Sequence, residues 1–511
     1  MKNKYTLLLL LIISYTVSAQ ITEPQVDELV NRTLATFDVP GIAVAIVKDG
    51  KVVLAKGYGV KSIVTKQKVD ANTLFGIASN SKAFTSAAIA ILADEKKLDW
   101  DDKVTKYIPE FKMYNDYVTD EFTIRDLLSH RSGLGLGAGD LMIWPDGHNF
   151  TPADIIANIH FLKPVSGFRT KYDYDNLLYV IAGEVVARVS GKSWTEFVEQ
   201  RIMQPLQMNK SAASWNRLKD SSNVIAPHVP IDGKLEVIQR YKNPIFDAAA
   251  GIYSSVNDMS KWAIMQLNNG KYGPDNKTLF SEKEHNEMWN PQTIIPAKTI
   301  APYNTHFSSY GLGWFLSDVK GYKQVTHTGG LEGIVTQVTL FPELKLGIIV
   351  LTNQQSGAAF TAITNTIKDS YLNIEPQDYV TVLSNRQKAN VESADKVTDE
   401  VWATVAKNQK EKVKVDTKQY TGSYKDNWFG EIVITEKKGK LYLASKRSPQ
   451  LTGEMFFYKD NNFVVRWNNR YFHADAHVFF ENGNQQIKMK PISSLTDFSY
   501  DFQDLLFEKI K

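Results

Sequence analysis

The chain has 511 residues, 43% of them hydrophobic, 11% aromatic and 23% charged, which is long enough for more than one folding unit and excludes a collagen-like or low-complexity polymer. Its 59 Lys and Arg nearly balance 56 Asp and Glu, so the charge balance carries no electrostatic footprint for nucleic acid. Cysteine is absent, which excludes disulfides, thiolate catalysis, cysteine-based zinc sites and a lipidated N-terminal cysteine.

Residues 1–19 read as a signal peptide. Lys2 and Lys4 supply a basic start, residues 7–13 an apolar core, and Val17-Ser18-Ala19 a small-residue cleavage pattern. The apolar run falls short of the ~20 residues of a spanning helix. The expectation is therefore a cleaved leader, no stable membrane anchor, and a periplasmic or secreted protein. Residues 42–60 predict a β-hairpin around the tight-turn pair Asp49-Gly50. From Ser79 the text turns alanine-rich and helix-periodic, and helical segments follow at 176–190, 194–203 and 257–268. Strand signals return at 310–316, 323–327, 334–341 and 346–353, and an amphipathic segment at 358–372 closes this part. The order hairpin, helical insert, strands, helix predicts an α/β fold: an antiparallel sheet of discontinuous strands with a large helical insert packed on it. Residues 374–415 are polar and predict a partly helical connector. From Tyr420 the pattern alternates as short strands, with turns at Lys438-Gly439 and Asn482-Gly483, which predicts a C-terminal antiparallel β-barrel or sandwich. The predicted division is thus 1–19, 20–373, 374–415 and 416–511. A packing or solubility role is expected for the last unit, with capping of a site, oligomer formation and ligand binding as alternatives.

Three short patterns carry chemistry. In Ser79-Asn80-Ser81-Lys82, a helix opening at Ser79 would set a hydroxyl at a helix N-terminus, where the dipole favours a developing oxyanion. Lys82 would lie one turn on, on the same face, and burial would lower its pKa until it accepts a proton. The spacing alone is cheap. Ser-x-x-Lys recurs at Ser317/Lys320 and Ser393/Lys396, and any one copy also reads as a capped helix or a loop. Tyr174-Asp175-Asn176 sits at a loop-to-helix junction, where Tyr174 is either a core aromatic or a proton acceptor depressed in pKa by Lys82. Tyr-x-Asn recurs at Tyr241/Asn243 and Tyr371/Asn373. His327-Thr328-Gly329, followed by Gly330, is either a glycine turn after a strand or a place where a substrate backbone approaches closely. His473 and His477 read as surface or packing residues rather than metal ligands. The Gly-x-Ser-x-Gly, P-loop and HExxH patterns are absent from the sequence.

Together, and in this order, the three patterns resemble the serine β-lactamase and penicillin-binding-protein superfamily, in particular the class C β-lactamase-like serine hydrolases of the peptidase S12 group. Flanking segments such as FGIASNSKAFTS, TIRDLLSHRSGL, YGLGWF and HTGGLEG extend the likeness over about residues 25–370. The remainder is similar to the lipocalin-like barrel found behind some S12-type peptidases. The resemblance implies Ser79 as acylated nucleophile, Lys82 and Tyr174 as base pair, and Asn176 as a ligand of both substrate and Lys82. It implies backbone amides of Ser79 and Gly330 as oxyanion donors, and His327, Thr328 and Gly329 as the facing wall. It implies neither cofactor nor metal. The implied activity is acyl transfer on amide or ester bonds of a small-molecule or peptide substrate, D-residue peptides included, with esterase, β-lactamase and non-catalytic penicillin-recognising protein as alternatives. His327 stands where β-lactamases usually carry Lys, so the permanent cation for a substrate carboxylate is missing, and His-x-Gly is similar to the peptidase and esterase members. Loops 135–150 and 290–307 are expected to set substrate preference.

Overall fold

The computed structural model describes residues 20–510; the predicted leader lies outside the described residues. A first helix, α1 (Glu23–Thr36), precedes the predicted hairpin of β1 (Gly41–Lys48) and β2 (Lys51–Gly59). Asp49 and Gly50 both adopt positive φ, as a two-residue turn between right-twisting strands demands. After the helical insert come β3 (Thr293–Ile295), β4 (Ser308–Tyr310), β5 (Phe315–Val319), β6 (Tyr322–Leu331), β7 (Ile334–Phe341) and β8 (Leu346–Thr352). They form one antiparallel sheet in the order β2-β1-β8-β7-β6-β5-β4-β3, so the first hairpin joins the last strand across some 300 residues of chain. Both faces of its centre are buried. Ala43, Ala45, Val47, Ile349 and Leu351 point into the core under the helical insert, and their neighbours Ile42, Val44, Ile46, Ile348 and Val350 into a second core. That is why β1 and β8 read as unbroken apolar runs rather than alternating ones.

Within the insert, α2 (Ser81–Asp94) is buried from Ser81 to Leu92, α3 (Leu177–Ser190) packs on it, and α4 (Val256–Leu267) stacks Trp262 on Phe84 at 3.9 Å. On the far face, α5 (Gly357–Tyr371) packs with α1 on the sheet. The connector is mostly one helix, α6 (Tyr379–Lys410), which lies along α5 and reaches the C-terminal unit through Trp402 on Phe456.

The C-terminal unit is a closed antiparallel barrel of β9 (Gly422–Asp426), β10 (Gly430–Lys437), β11 (Lys440–Ser445), β12 (Thr452–Lys459), β13 (Asn462–Trp467), β14 (Ala476–Glu481), β15 (Gln486–Pro491) and β16 (Leu506–Lys509). Lys438-Gly439 and Asn482-Gly483 turn with positive φ where the sequence placed turns.

Three expectations are corrected. Residues 310–316 are not one strand: Tyr310 ends β4, Phe315 starts β5, and Gly311–Trp314 turns between them. The strand predicted to end at His327 continues to Leu331, so His327–Gly330 lies inside β6, the alternative of a glycine turn falls, and the chain reverses at Glu332-Gly333. The α-helix begins at Ser81, not Ser79, which lies in a single 3₁₀ turn, Ala78–Asn80, ahead of it.

Candidate active site

Ser79 sits where the β3–β8 half of the sheet meets the insert. The residue before it, Ala78, has φ +50°, a left-handed conformation that costs an L-residue roughly 1–2 kcal/mol. The strain throws the next side chain out of the turn and into a cleft of about 590 Å³. Lys82, one turn further and fully buried, donates to Ser79 Oγ at 3.1 Å, to Asn176 Oδ1 at 2.7 Å and to the Ala249 carbonyl at 3.1 Å. Burial drives its pKa down to about 7, while the carboxyls of Asp140 and Asp175 pull it back up. Near neutrality this amine is available in both forms.

Tyr174 closes the triangle. Its hydroxyl interacts with Ser79, and its ring centroid lies 4.8 Å from Lys82 Nζ. Here the expectation of a depressed phenol is corrected. Burial pushes Tyr174 well above its ordinary value, and the Ser79 contact offsets this only in part, so the phenol is protonated at rest. The helix start that carries Tyr174 and Asn176 is capped by Asp175, which accepts the N–H groups of Leu177 and Leu178, while Asn176 is left free to face the site.

β6 forms the facing wall. His327 donates from Nδ1 to the Thr328 carbonyl at 2.5 Å, which leaves Nε2 to accept the Tyr310 hydroxyl at 3.0 Å. Burial, then the Lys82 charge, lowers this imidazole to about 3, so it is neutral throughout the working range. Its ring lies 6.2 Å from that of Tyr174. A Cβ on Gly329 would sit 2.3 Å from the Ile77 carbonyl, whereas one on Gly330 would meet open space. The first glycine therefore lets the strand press against the Ser79 turn, and the second keeps the cleft clear. Counting back from the Leu331–Ile334 closing pair, Thr328 and Gly330 aim their N–H and C=O away from β7. β5 stops pairing at Thr326, so among the described residues no strand pairs with this edge, and of its groups the Thr328 carbonyl already takes the His327 Nδ1 proton.

All the sequence-predicted site residues thus meet: Ser79, Asn176, His327, Thr328, Gly329 and Gly330 line one cleft with Tyr174, and Lys82 lies behind Ser79. The other copies of each spacing lie elsewhere: Ser317 on β5, Ser393 on α6, Tyr371 at the end of α5, and Tyr241 bonded to the Ile143 carbonyl. Loop 135–150 lines the cleft through Leu136, Ile143 and Trp144, but residues 290–307 do not. Sequence reasoning missed three participants. His130, fully buried, accepts the Asp175 N–H and packs 4.2 Å from the Tyr174 ring. Asp140 accepts from Asn176 Nδ2 at 2.8 Å. Barrel residues, among them His473, Leu495, Phe498 and Tyr500, form a whole side of the cleft, so the expected packing or solubility role understates that unit. His130 stands in the SHRSGL run already noted; the other two carry no pattern. Among the described residues, the cleft lining includes Glu332 and Asp497 but neither Lys nor Arg.

The family model described as Beta-lactamase matches residues 26–372, and one described as a domain of unknown function, DUF3471, matches residues 406–509. The chain is 27% identical over 440 residues to the unguisins hydrolase ungD′ of Aspergillus campestris, covering 82% of this chain and 79% of that one. It is 29% identical over 340 residues to protein flp of Staphylococcus aureus, 66% of this chain and 64% of that one. The structure of an octameric penicillin-binding protein homologue from Pyrococcus abyssi superimposes with a TM-score of 0.62 at 21% identity, covering 96% of this chain and all of that chain.

Proposed function

The chain belongs to the beta-lactamase family, and from that premise we propose that it is a serine hydrolase that works through an acyl-enzyme on amide or ester bonds, with peptides as its leading substrates. The observation that carries this is the contact of Lys82 Nζ with Ser79 Oγ at the floor of an open cleft. Neutral Lys82 takes the Ser79 proton as Oγ bonds to the substrate carbonyl carbon, and the carbonyl electron pair moves onto oxygen. The amides of Ser79 and Gly330 are the donors assigned to that oxyanion. As the intermediate collapses, the bond to the leaving nitrogen or oxygen breaks. Tyr174 gives that atom its proton and recovers one from the Lys82 ammonium. Water then attacks the ester carbonyl, its proton passing to Lys82; as the bond between Oγ and the carbonyl carbon breaks, the Lys82 ammonium returns a proton to Ser79 Oγ and the acid product leaves.

Peptides are favoured over small esters by the edge of β6 beyond its pairing with β5, which offers Thr328 and Gly330 backbone groups to an extended chain. β-Lactams are disfavoured by the neutral His327 and by a cleft whose lining, among the described residues, includes neither Lys nor Arg for a substrate carboxylate. The name of the unguisins hydrolase agrees with a hydrolytic role. Export to the periplasm or exterior through residues 1–19 belongs to the same reading, as does assembly through the barrel.

The test is intact mass after treatment with a fluorophosphonate. One adduct on the wild type and none on Ser79→Ala is expected; equal labelling of both removes the assignment. Turnover of D-amino-acid anilides against p-nitrophenyl esters separates peptidase from esterase, and hydrolysis of a chromogenic cephalosporin would restore the β-lactamase reading.

A further inference from the structure

The connection between β15 and β16, residues 492–505, leaves the barrel and crosses the mouth of the cleft. Three consecutive side chains fasten it to both walls. Ser499 donates to Asp140 Oδ2 at 2.8 Å. Tyr500 donates to Glu332 Oε1, in the β6–β7 turn, at 2.9 Å. Asp501 accepts the N–H groups of Gly139 at 2.7 Å and Leu141 at 3.0 Å, so it clamps the turn that carries Asp140. All three are at least nine-tenths buried, and Asp140 is fully so.

Asp140 faces a neighbour whose orientation decides the chemistry. An amide side chain has one accepting and one donating end. Lys82 needs the accepting end of Asn176, and receives Oδ1 at 2.7 Å. The donating end then requires an acceptor, and Asp140 Oδ2 supplies it at 2.8 Å; burial raises this carboxyl well above its ordinary value, while the Asn176 and Ser499 hydrogen bonds and the Lys82 charge favour its ionised form. Were Asp140 absent, the amide would be free to rotate and set N–H against the ammonium. The chain Ser499–Asp140–Asn176–Lys82–Ser79 is continuous, each link between 2.7 and 3.1 Å.

We infer that Asp140, held in place by Ser499 of the barrel, is a positioning residue that fixes the Asn176 amide and through it Lys82, so that the C-terminal unit completes the catalytic centre. The inference rests on the proposed acyl-enzyme. It gives the barrel a part in catalysis that is separate from any effect on substrate fit.

The experiment measures kcat, KM, the pH profile of kcat/KM and thermal stability for full-length Asp140→Ala, Asp140→Asn, Ser499→Ala and Ser499→Thr on an activated ester. Asp140→Ala should lower kcat about 100-fold, the scale of a small misplacement of a reacting group, with KM and Tm nearly unchanged. Ser499→Ala should lower kcat by about 5-fold, the loss expected when one of two hydrogen bonds on the carboxylate is removed, and Ser499→Thr should recover it. Lys82 is faced by the carboxyls of Asp140 and Asp175, the imidazoles of His130 and His327, and the rings of Tyr174 and Tyr179. Of these, Asp140→Asn removes one negative neighbour while keeping an acceptor for Asn176, so the acid limb should move to lower pH with kcat largely kept. Unchanged kcat and pH profile in Asp140→Ala and Ser499→Ala overturns the inference. So does a loss that follows Tm with the acid limb unmoved. If Asp140→Ala does not fold, the Ser499 pair decides. Fluorophosphonate labelling of the wild type runs alongside: no adduct there refutes the acyl-enzyme itself, whereas labelling of all variants at the wild-type rate refutes only the positioning role.

Discussion

Proton traffic at Ser79 turns on which neighbour is the base at rest. Lys82 is the base whose pKa falls within the working range, at about 7, because burial outweighs the pull of two carboxyls, of which Asp175 is itself raised by burial to about 7. Below that value the ammonium has no lone pair, so kcat/KM should fall tenfold per pH unit on the acid side and level off above. His327, held at about 3, adds no second limb; a plateau that persists down to pH 5 would contradict Lys82 as base. Tyr174 is protonated at rest and serves the leaving group. Tyr174→Phe should therefore cost about 100-fold or more on an anilide, the ordinary worth of a general acid, and far less on a p-nitrophenyl ester whose phenolate departs unaided. Equal losses on the two substrates would remove that role. The residues just named were legible because each belongs to a short pattern near a change of secondary structure. Asp140 and Ser499 were not, since a hydrogen bond between residues 359 positions apart leaves no spacing to read. Asp175 sat inside a pattern, but its work is capping α3, which only the backbone reveals.

Glycine was the most misleading letter at the level of strands and helices. In YGLGWF the apolar alternation reads as one strand, yet Gly313 takes φ +80° and lies 3.0 Å, at its would-be Cβ, from the Lys82 carbonyl. The strand breaks there because α2 passes too close for any side chain. In His327–Gly330 one of two open readings falls. Two glycines suggest a turn, but the strand continues and Gly329 is there for contact with Ile77 and Ala78. By contrast Asp49-Gly50, Lys438-Gly439 and Asn482-Gly483 were read correctly, because positive φ at successive residues has few other uses. The two readings of glycine in β6 separate experimentally. Gly329→Ala forces backbone against backbone and should destabilise the protein by about 1–3 kcal/mol, the usual cost of overpacking, in urea unfolding. Gly330→Ala projects a methyl into the cleft, so stability should hold while KM for a peptide rises. Loss of stability in both variants would mean that Gly330 is structural too.

At the scale of the whole chain, the change of composition near Tyr420 announces a second architecture but not where it docks. Docking depends on single side chains from loops, and loops carry no period. Arg447, between β11 and β12, forms a two-pronged pair with Asp154 and lies over the Phe150 ring at 3.9 Å. Asn158 donates to the Trp428 carbonyl, and Asp501 holds the turn at Gly139. Around these contacts one buried apolar cluster runs without a break from Leu141, Met142 and Phe150 of the insert to Trp428, Phe429 and Phe502 of the barrel. Domains joined through a small polar contact unfold separately, but a shared apolar core couples them. The barrel and the hydrolase fold should therefore melt in one calorimetric transition, although they differ in architecture. A chain ended at residue 415 exposes that cluster and loses the Asp501 clamp, so it should aggregate or melt well below the full chain, and it should not take up fluorophosphonate at the native rate. Two resolved transitions, or a truncated chain that keeps its Tm and its labelling, would mean that the cleft stands without its second half.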